Sequence, residues 1–448
     1  MRPCREAVAR ARPPAPEVVT LLRTPAAWPR ILLARADAKD PTDLDGAVAD
    51  GAFDALQRAF RDLGGAGTIA AITAAGLRGR GGAGYPTGEK WRTAATTEAT
   101  KRYVVANGYG ADPASHTDRT LMLRDPYAVI EGTAIAATAI GAREAFIAVR
   151  GEDTEVIAAL SAAIGHATDA GFLGDDVLGS GRELWMTVRP VQGAYMLGEE
   201  TVLLKALEGK RGQPEQRPPH PAVKGLDDKP TVVNNVQTLA AVPWILREGP
   251  EAFRATGTTR APGTVLVQIR TPGKDGVAEV PLGTPLRDVL KLGGKLPEGR
   301  RLQAVLIGGP SGGLLPPDAL DAPYDFDSLR EAGAHLGSGS VVLVDDRTDL
   351  LELISVLTRF CSNEACGKSI PCRIGTKRLA ELVARREAGL IRPVDTQLAA
   401  DLAHDVVASA LCDHERLATL PLTSGMRYFE SAFDPDRRPT TAATKASR

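Results

Sequence analysis

The chain has 448 residues, 43% of them hydrophobic and 24% charged, with a net charge of -1. That length exceeds one ordinary core, so two or three domains are expected, and a near-neutral balance argues against nucleic acid or an anionic lipid surface as the main partner. No apolar run approaches the ~20 residues needed to span a bilayer, so direct membrane insertion is not expected and a cytoplasmic protein is.

The first residues, MRPCREAVARARPPAPEVV, are basic but lack an apolar core and a small-residue cleavage site, so they read as a frayed or docking tail rather than a secretory signal. They open an N-terminal extension over residues 1–60. Residues 16–75 read as short amphipathic helices, the clearest from Ala52 to Leu63. YVVAN from Tyr103 is an apolar strand, followed by an Ala-rich helix around Thr133 to Ala142. AFIAVR (Ala145 to Arg150) is a second strand, TEVIAALSAAIGHA a second helix, and WMTVRP (Trp185 to Pro190) a third strand. Strands alternating with helices predict a parallel-sheet α/β domain over residues 61–245.

The pattern then changes. GTVLVQIRTPG, DGVAEVPLG, PLRDVLKLGG and LQAVLIGGP form a strand, strand, helix, strand run. That order predicts a small β-grasp-like domain over residues 246–335, with a hairpin from Val265 to Val280. From Asp349 four amphipathic segments follow one another, predicting a C-terminal four-helix bundle over residues 336–435. GGPSGG (Gly308 to Gly313) reads as a tight structural loop, and His404 and His414 as helix-surface residues. Residues 436–448 are polar and rich in Thr, and read as a disordered tail.

Two segments carry chemistry. GLRGRGGAGYPTGEKW (Gly76 to Trp91) places six glycines within thirteen residues, with Arg78, Arg80 and Lys90 among them. Glycines allow positive φ and a close approach of backbone N–H groups to an anion, so phosphate binding is the direct reading; a mobile connector is the plainer alternative. The spacing is neither the dinucleotide fingerprint nor a Walker loop. Five cysteines are present, and Cys361, Cys366 and Cys372 fall within twelve residues. An odd number in a chain this long argues against a disulfide-stapled protein, and the clustering points to metal.

The glycine segment resembles the flavin loop of the NADH-oxidising flavoprotein subunits of respiratory complex I, NAD-reducing hydrogenases and NAD-dependent formate dehydrogenases. The resemblance continues through GAYMLGEETVLLKALEGKRGQPEQRPPHPAVKGL (Gly193 to Leu226), PTVVNNVQTLAAVP (Pro230 to Pro243) and GKSIPCRIGT, covering roughly residues 60 to 432. It implies hydride transfer from NADH to FMN, then electron transfer to a [4Fe–4S] cluster, with no side-chain acid or base required. The backbone of Gly79, Arg80, Gly81, Gly82, Ala83 and Gly84, together with Lys90, Asn107, Asn234 and Asn235, is implied to hold FMN. Glu199, Glu200 and Arg217 are implied to meet the NADH. Partners implied are a small [2Fe–2S] subunit and a larger iron–sulfur or molybdenum-containing subunit, at the inner face of a membrane or free of it.

The chain departs from the family pattern in three places. After YVVAN the family carries an acidic run, whereas this chain has Tyr109 and Gly110, keeping only Asp112. At the family's aromatic stacking positions it has Tyr85, Thr93 and His220. Cys366, Cys372 and Cys412 match three cluster ligands, but the position between the first two is Ser369, a hard oxygen where a thiolate is usual. Three outcomes are open: Ser369 or water on the fourth iron, Cys361 as a substitute, or an empty site. A structural or regulatory paralogue with degenerate sites is the rival to an electron-input subunit.

Overall fold

The computed structural model describes residues 19–433 apart from Ile391. Cys4, the basic tail before Val19 and the C-terminal tail over 436–448 lie outside the described residues.

Four strands form the first sheet: β1 Tyr103–Gly108, β2 Glu144–Arg150, β3 Trp185–Val191 and β4 Thr231–Asn235. Every pairing is parallel and the order is β3-β2-β1-β4. β1 is almost wholly buried, as a central parallel strand covered by helices must be. The chain winds outward from β1 to β3 and then returns to place β4 on the other side of β1. The strand order therefore reverses beside β1, and ligands bind at such a switch point, outside the carboxyl ends of the strands. Asn107 of β1 pairs in register with Asn235 of β4 there. β4 was not anticipated, because TVVNN is short and flanked directly by a helix.

The Ala-rich helix Pro126–Ile140 is buried on nearly every face. Asp125 caps it by accepting the Ala128 N–H, and Gly132 lets Val236–Glu248 cross closely, since a Cβ there would lie 1.9 Å from the Leu239 carbonyl oxygen. The segment expected as one helix from Ala52 to Leu63 is instead Asp54–Arg58 continued by a π-helical turn, Ala59–Leu63.

The second sheet contains β5 Thr264–Thr271, β6 Lys274–Pro281, β7 Leu302–Ile307, β8 Gly313–Leu315 and β9 Ser340–Asp345, in the order β6-β5-β9-β7-β8. The expected hairpin is present, with Val265 opposite Val280. β9 lies beyond residue 335, where the helical region was expected to begin, yet it runs parallel to β5 and antiparallel to β7 at the sheet's centre. Thr20 and Leu22 bond to Val277, adding the N-terminal segment to the β6 edge. The Glu279 carboxylate receives the N–H groups of Ile31, Leu32 and Leu33.

Alternation along these strands divides the cores. Val305, Ile307 and Val341 face Leu286 and Val289, whereas Leu306 and Val344 face Leu350, Ile354 and Leu379 of the helical region. That region comprises Leu350–Asn363, Ile370–Glu387, Pro393–Ala408, the short Asp413–Leu417 and Leu420–Tyr428. Among the described residues, no helix is long and apolar enough to cross a membrane.

Candidate functional site

The glycine loop lies between both sheets. The Gly79 N–H donates to the Tyr85 carbonyl at 2.9 Å and the Arg80 N–H to Thr238 Oγ1 at 2.8 Å. Gly82 (φ +107°) and Gly84 (φ +65°) occupy backbone conformations that side chains disfavour. A Cβ on Gly81 would meet the Asn235 Cβ at 3.3 Å.

The arginines of this loop are not free phosphate ligands, which corrects the sequence expectation. Arg80 is 1% exposed, and its guanidinium donates to the carbonyls of Arg78, Pro262 and Thr264. Arg78 pairs with Asp327 and donates to the Gly84 carbonyl. Both guanidiniums join the loop to the second domain, a use that local sequence does not reveal.

Lys90 reaches from the glycine segment toward the GEET motif. Its Nζ donates to Glu200 Oε2 at 2.8 Å and to the Val233 carbonyl at 2.9 Å, and lies 6.0 Å from the exposed Tyr85 ring. Arg217 bridges Glu199 and Glu200, at 3.1 and 2.9 Å. Glu199 caps the helix Glu200–Leu207 by accepting the N–H groups of Thr201 and Val202. The two neighbouring acids differ in electrostatics. Burial raises the Glu199 carboxyl above its ordinary value. Burial acts in the same sense on Glu200, but Lys90 and Arg217 outweigh it and hold that carboxyl below its ordinary value.

The asparagines converge on the same crevice. Asn234 Oδ1 accepts from the buried Trp91 Nε1 at 2.9 Å, and Asn107 Oδ1 accepts from the Tyr109 N–H. Asn235 caps the helix Val236–Glu248 and donates through Nδ2 to Asp118 Oδ2 at 2.7 Å. Gln237 donates to the other Asp118 oxygen. Burial pushes the Asp118 carboxyl up to about 6, against these two hydrogen bonds. Neither Asp118 nor Gln237 stands out as a site residue in the sequence, because nothing local marks a polar side chain that the fold will bury.

Tyr109 does not face this crevice as a replacement for the lost acid. It is 2% exposed, donates its hydroxyl proton to the Gly193 carbonyl at 2.8 Å and packs in a core with Val191 and Leu197. The Arg150 guanidinium sits 4.8 Å from the ring and donates to the carbonyls of Tyr109, Gly110 and Ala111. Asp112, the retained acid, accepts from Ser338 Oγ and the Ala114 N–H.

Beyond Arg217, an open groove of about 490 Å³ is lined by Gln216, His220, Cys412, Asp413 and Arg416 as well as Arg217. It has both Arg217 and the Cys412 thiol in its wall. Cys412 and Cys366 pack in one cluster, and Cys372 is near enough that the others raise its pKa. Burial first, then Glu415 and these neighbours, push the Cys372 thiol up to about 12. No three His, Cys, Asp or Glu side chains among the described residues close on a single metal ion. Thiolates are the ligands an iron–sulfur cluster needs, each on its own iron, so the absence of a single-ion site does not bear on a cluster.

Cys361, the candidate substitute for the missing thiolate, is held inside its helix. Its helix continues to Asn363, it is fully buried, and its Sγ faces the Pro310 carbonyl at 3.5 Å. His414, expected on a helix surface, is buried instead and its Nε2 contacts the Cys361 carbonyl. Tyr195, which carries no signal in the sequence, joins the domains: its hydroxyl meets Ser311 Oγ at 2.7 Å and its N–H donates to Glu364. GGPSGG is the tight loop expected, with Gly309, Pro310 and Ser311 all buried.

A parallel sheet with polar side chains gathered at its switch point, joined to a helical region bearing Cys366, Cys372 and Cys412, defines a flavin and iron–sulfur oxidoreductase subunit. Residues 72–244 match the Nuo51 FMN-binding domain, and residues 352–436 match the NADH-ubiquinone oxidoreductase-F iron-sulfur binding region. The chain is 38% identical over 409 residues to the F 2 subunit of the NADH-quinone oxidoreductase of Rhizobium meliloti, covering 90% of this chain and 96% of that one. It is 36% identical to the HndC subunit of the NADP-reducing hydrogenase of Solidesulfovibrio fructosivorans, covering 88% and 81%. An NAD+-reducing [NiFe]-hydrogenase structure in the H2-reduced state superposes with a TM-score of 0.81 at 31% identity, covering 94% of this chain and 68% of that one. The chain belongs to the family of NADH-oxidising flavoprotein subunits of NADH-quinone oxidoreductases and related hydrogenases. It is an electron-input oxidoreductase subunit whose cofactors are FMN, NADH and a [4Fe–4S] cluster.

Proposed function

We propose that FMN lies in the crevice between β1 and β4, held by the Gly81 to Gly84 backbone, Lys90, Asn107, Asn234 and Asn235. The observation that carries this reading is the Lys90–Glu200–Arg217–Glu199 network, which brings both acids of one motif to the lysine of another. Glu199 and Glu200 would hydrogen-bond the ribose hydroxyls of NADH, with Arg217 and Lys90 balancing their charge. The exposed Tyr85 offers one stacking face; Thr93 offers none. FMN held there would supply hydride acceptance and one-electron release. The residues around it bind, orient and exclude water, and none needs to move a proton.

The domain reading is an FMN and NADH domain from residue 61 through the helix Pro250–Arg254, a β-grasp-like domain through Asp345, and a helical bundle from Leu350. Cys366, Cys372 and Cys412 would hold the cluster. Ile370 and Ile374 flank Cys372 and are 65% and 48% exposed, and Leu390, Val394 and Leu398 are exposed in the same region. An apolar surface beside a cluster supports docking of another subunit, by resemblance a [2Fe–2S] protein and a larger iron–sulfur or molybdenum-containing one. A cytoplasmic complex, attached to a membrane through other subunits or free of it, fits these features.

The test is anaerobic addition of NADH to the purified full chain reconstituted with FMN. Bleaching of a bound flavin is expected. Failure to retain FMN, together with iron below stoichiometry, would favour the structural paralogue.

A further inference from the structure

The fourth corner of the cluster site carries an oxygen donor set that the sequence pattern does not disclose. Ser369, at the position of the missing thiolate, caps the helix Ile370–Glu387 by accepting the Cys372 N–H at 3.3 Å. Its Oγ donates to Glu415 Oε1 at only 2.6 Å. Glu415 is 1% exposed, and its other oxygen accepts the Leu411 N–H at 2.8 Å. It lies on the short helix Asp413–Leu417, which begins directly after Cys412. The Ser369–Glu415 bond therefore ties the turn holding Cys372 to the turn holding Cys412.

A buried carboxylate normally has a cationic partner, because removing it from water is costly. Among the described residues, no Lys, Arg or His forms a salt bridge with Glu415, and Cys372 and Cys412 are close enough to feel its charge. Two hydrogen bonds leave each carboxylate oxygen a further lone pair. A carboxylate is also a better donor to a hard metal site than a serine hydroxyl, which would first have to lose its proton.

We infer that Glu415 supplies the fourth-corner ligand of the cluster and that Ser369 is its positioning residue, making one iron oxygen-ligated and the other three thiolate-ligated. This inference rests on the cluster assignment of the family, and extends it at a position where the family pattern has cysteine. Ligation needs no change in oxidation state: the carboxylate oxygen forms a bond to iron, and Ser369 keeps its proton and its hydrogen bond. An oxygen-ligated iron is held less firmly than one on a thiolate, so this corner is the one that exchanges.

The test is Mössbauer and electron paramagnetic resonance spectroscopy of the full chain, loaded anaerobically with iron-57 and sulfide. In the unaltered chain one iron subsite should be distinct from the other three, and ferricyanide should remove that iron to leave a three-iron signal. Glu415→Gln should yield the three-iron form directly. Ser369→Ala should keep the distinct subsite but lose its iron to a chelator about tenfold faster, the effect typical of removing an outer-shell partner. Ser369→Cys, which supplies the family's thiolate, should give a uniform four-iron spectrum and guards against misfolding in the other variants. A uniform spectrum in the unaltered chain would overturn the inference, as would a distinct subsite that survives Glu415→Gln but disappears in Ser369→Ala. If neither the unaltered chain nor Ser369→Cys assembles a cluster, the cluster assignment itself fails.

Discussion

Lys90 and Glu200 are 110 residues apart in sequence, yet Nζ lies 2.8 Å from Oε2. The contact joins the glycine segment to the GEET motif and gives the crevice a fixed cation. Lys90→Ala removes a charge-assisted bond and leaves Glu200 with Arg217 as its remaining cationic contact. Such bonds contribute about 1.5–3 kcal/mol, so FMN affinity should fall roughly tenfold to a hundredfold. Flavin fluorescence titration of the full chain measures it, and an unchanged affinity would remove Lys90 from the site.

Restoring an acid at position 109 should not restore a flavin contact. Tyr109 is packed against Val191 and Leu197, under Arg150. Tyr109→Glu would bring a carboxylate into that core and is expected to lower the Tm by several degrees without tightening FMN. Tyr109→Phe loses only the bond to the Gly193 carbonyl, about 1 kcal/mol. Thermal denaturation with a parallel flavin titration separates the two outcomes.

Arg80 should behave as a structural residue although it lies within the glycine loop. Arg80→Ala leaves the carbonyls of Arg78, Pro262 and Thr264 without their donors and opens a cavity beside Phe253. A loss on the order of 3 kcal/mol is expected, read from chemical denaturation. Arg80→Lys should rescue it poorly, because an ammonium does not reproduce the planar fork. Selective loss of flavin affinity with unchanged stability would contradict this role.

Asp118 predicts a pH dependence. Its carboxyl titrates near 6 in the folded chain, against an ordinary value of 3.8. A folded-state value that is raised means stability present below the unfolded pKa and lost as pH rises through the folded one. Asp118→Asn cannot ionise, so its Tm relative to the unaltered chain should improve from about pH 4 to about pH 6 and then level off. A difference that stays flat across this window would show that Asp118 is not raised.

Much of this protein is legible in its sequence because the relevant physics is local. Strand and helix alternation from Tyr103 to Val191 follows from short apolar runs between amphipathic stretches, and the hairpin pairing Val265 with Val280 follows from two such runs around a turn. The glycine segment and the triad of cysteines are likewise visible, since backbone freedom and thiolate chemistry reside in individual residue types. What sequence could not supply was pairing across distance. β9 looks like a lead into the helices until β5 and β7 bond to its two edges. Arg80 reads as a free cation until the distant carbonyls of Pro262 and Thr264 close on it. Glu415 reads as an ordinary helix residue until the fold buries it against Ser369. Residue types set which interactions are available, and only the tertiary structure decided which partners Arg80, Glu415 and Ser369 met, because a buried charge or hydroxyl left without one is costly.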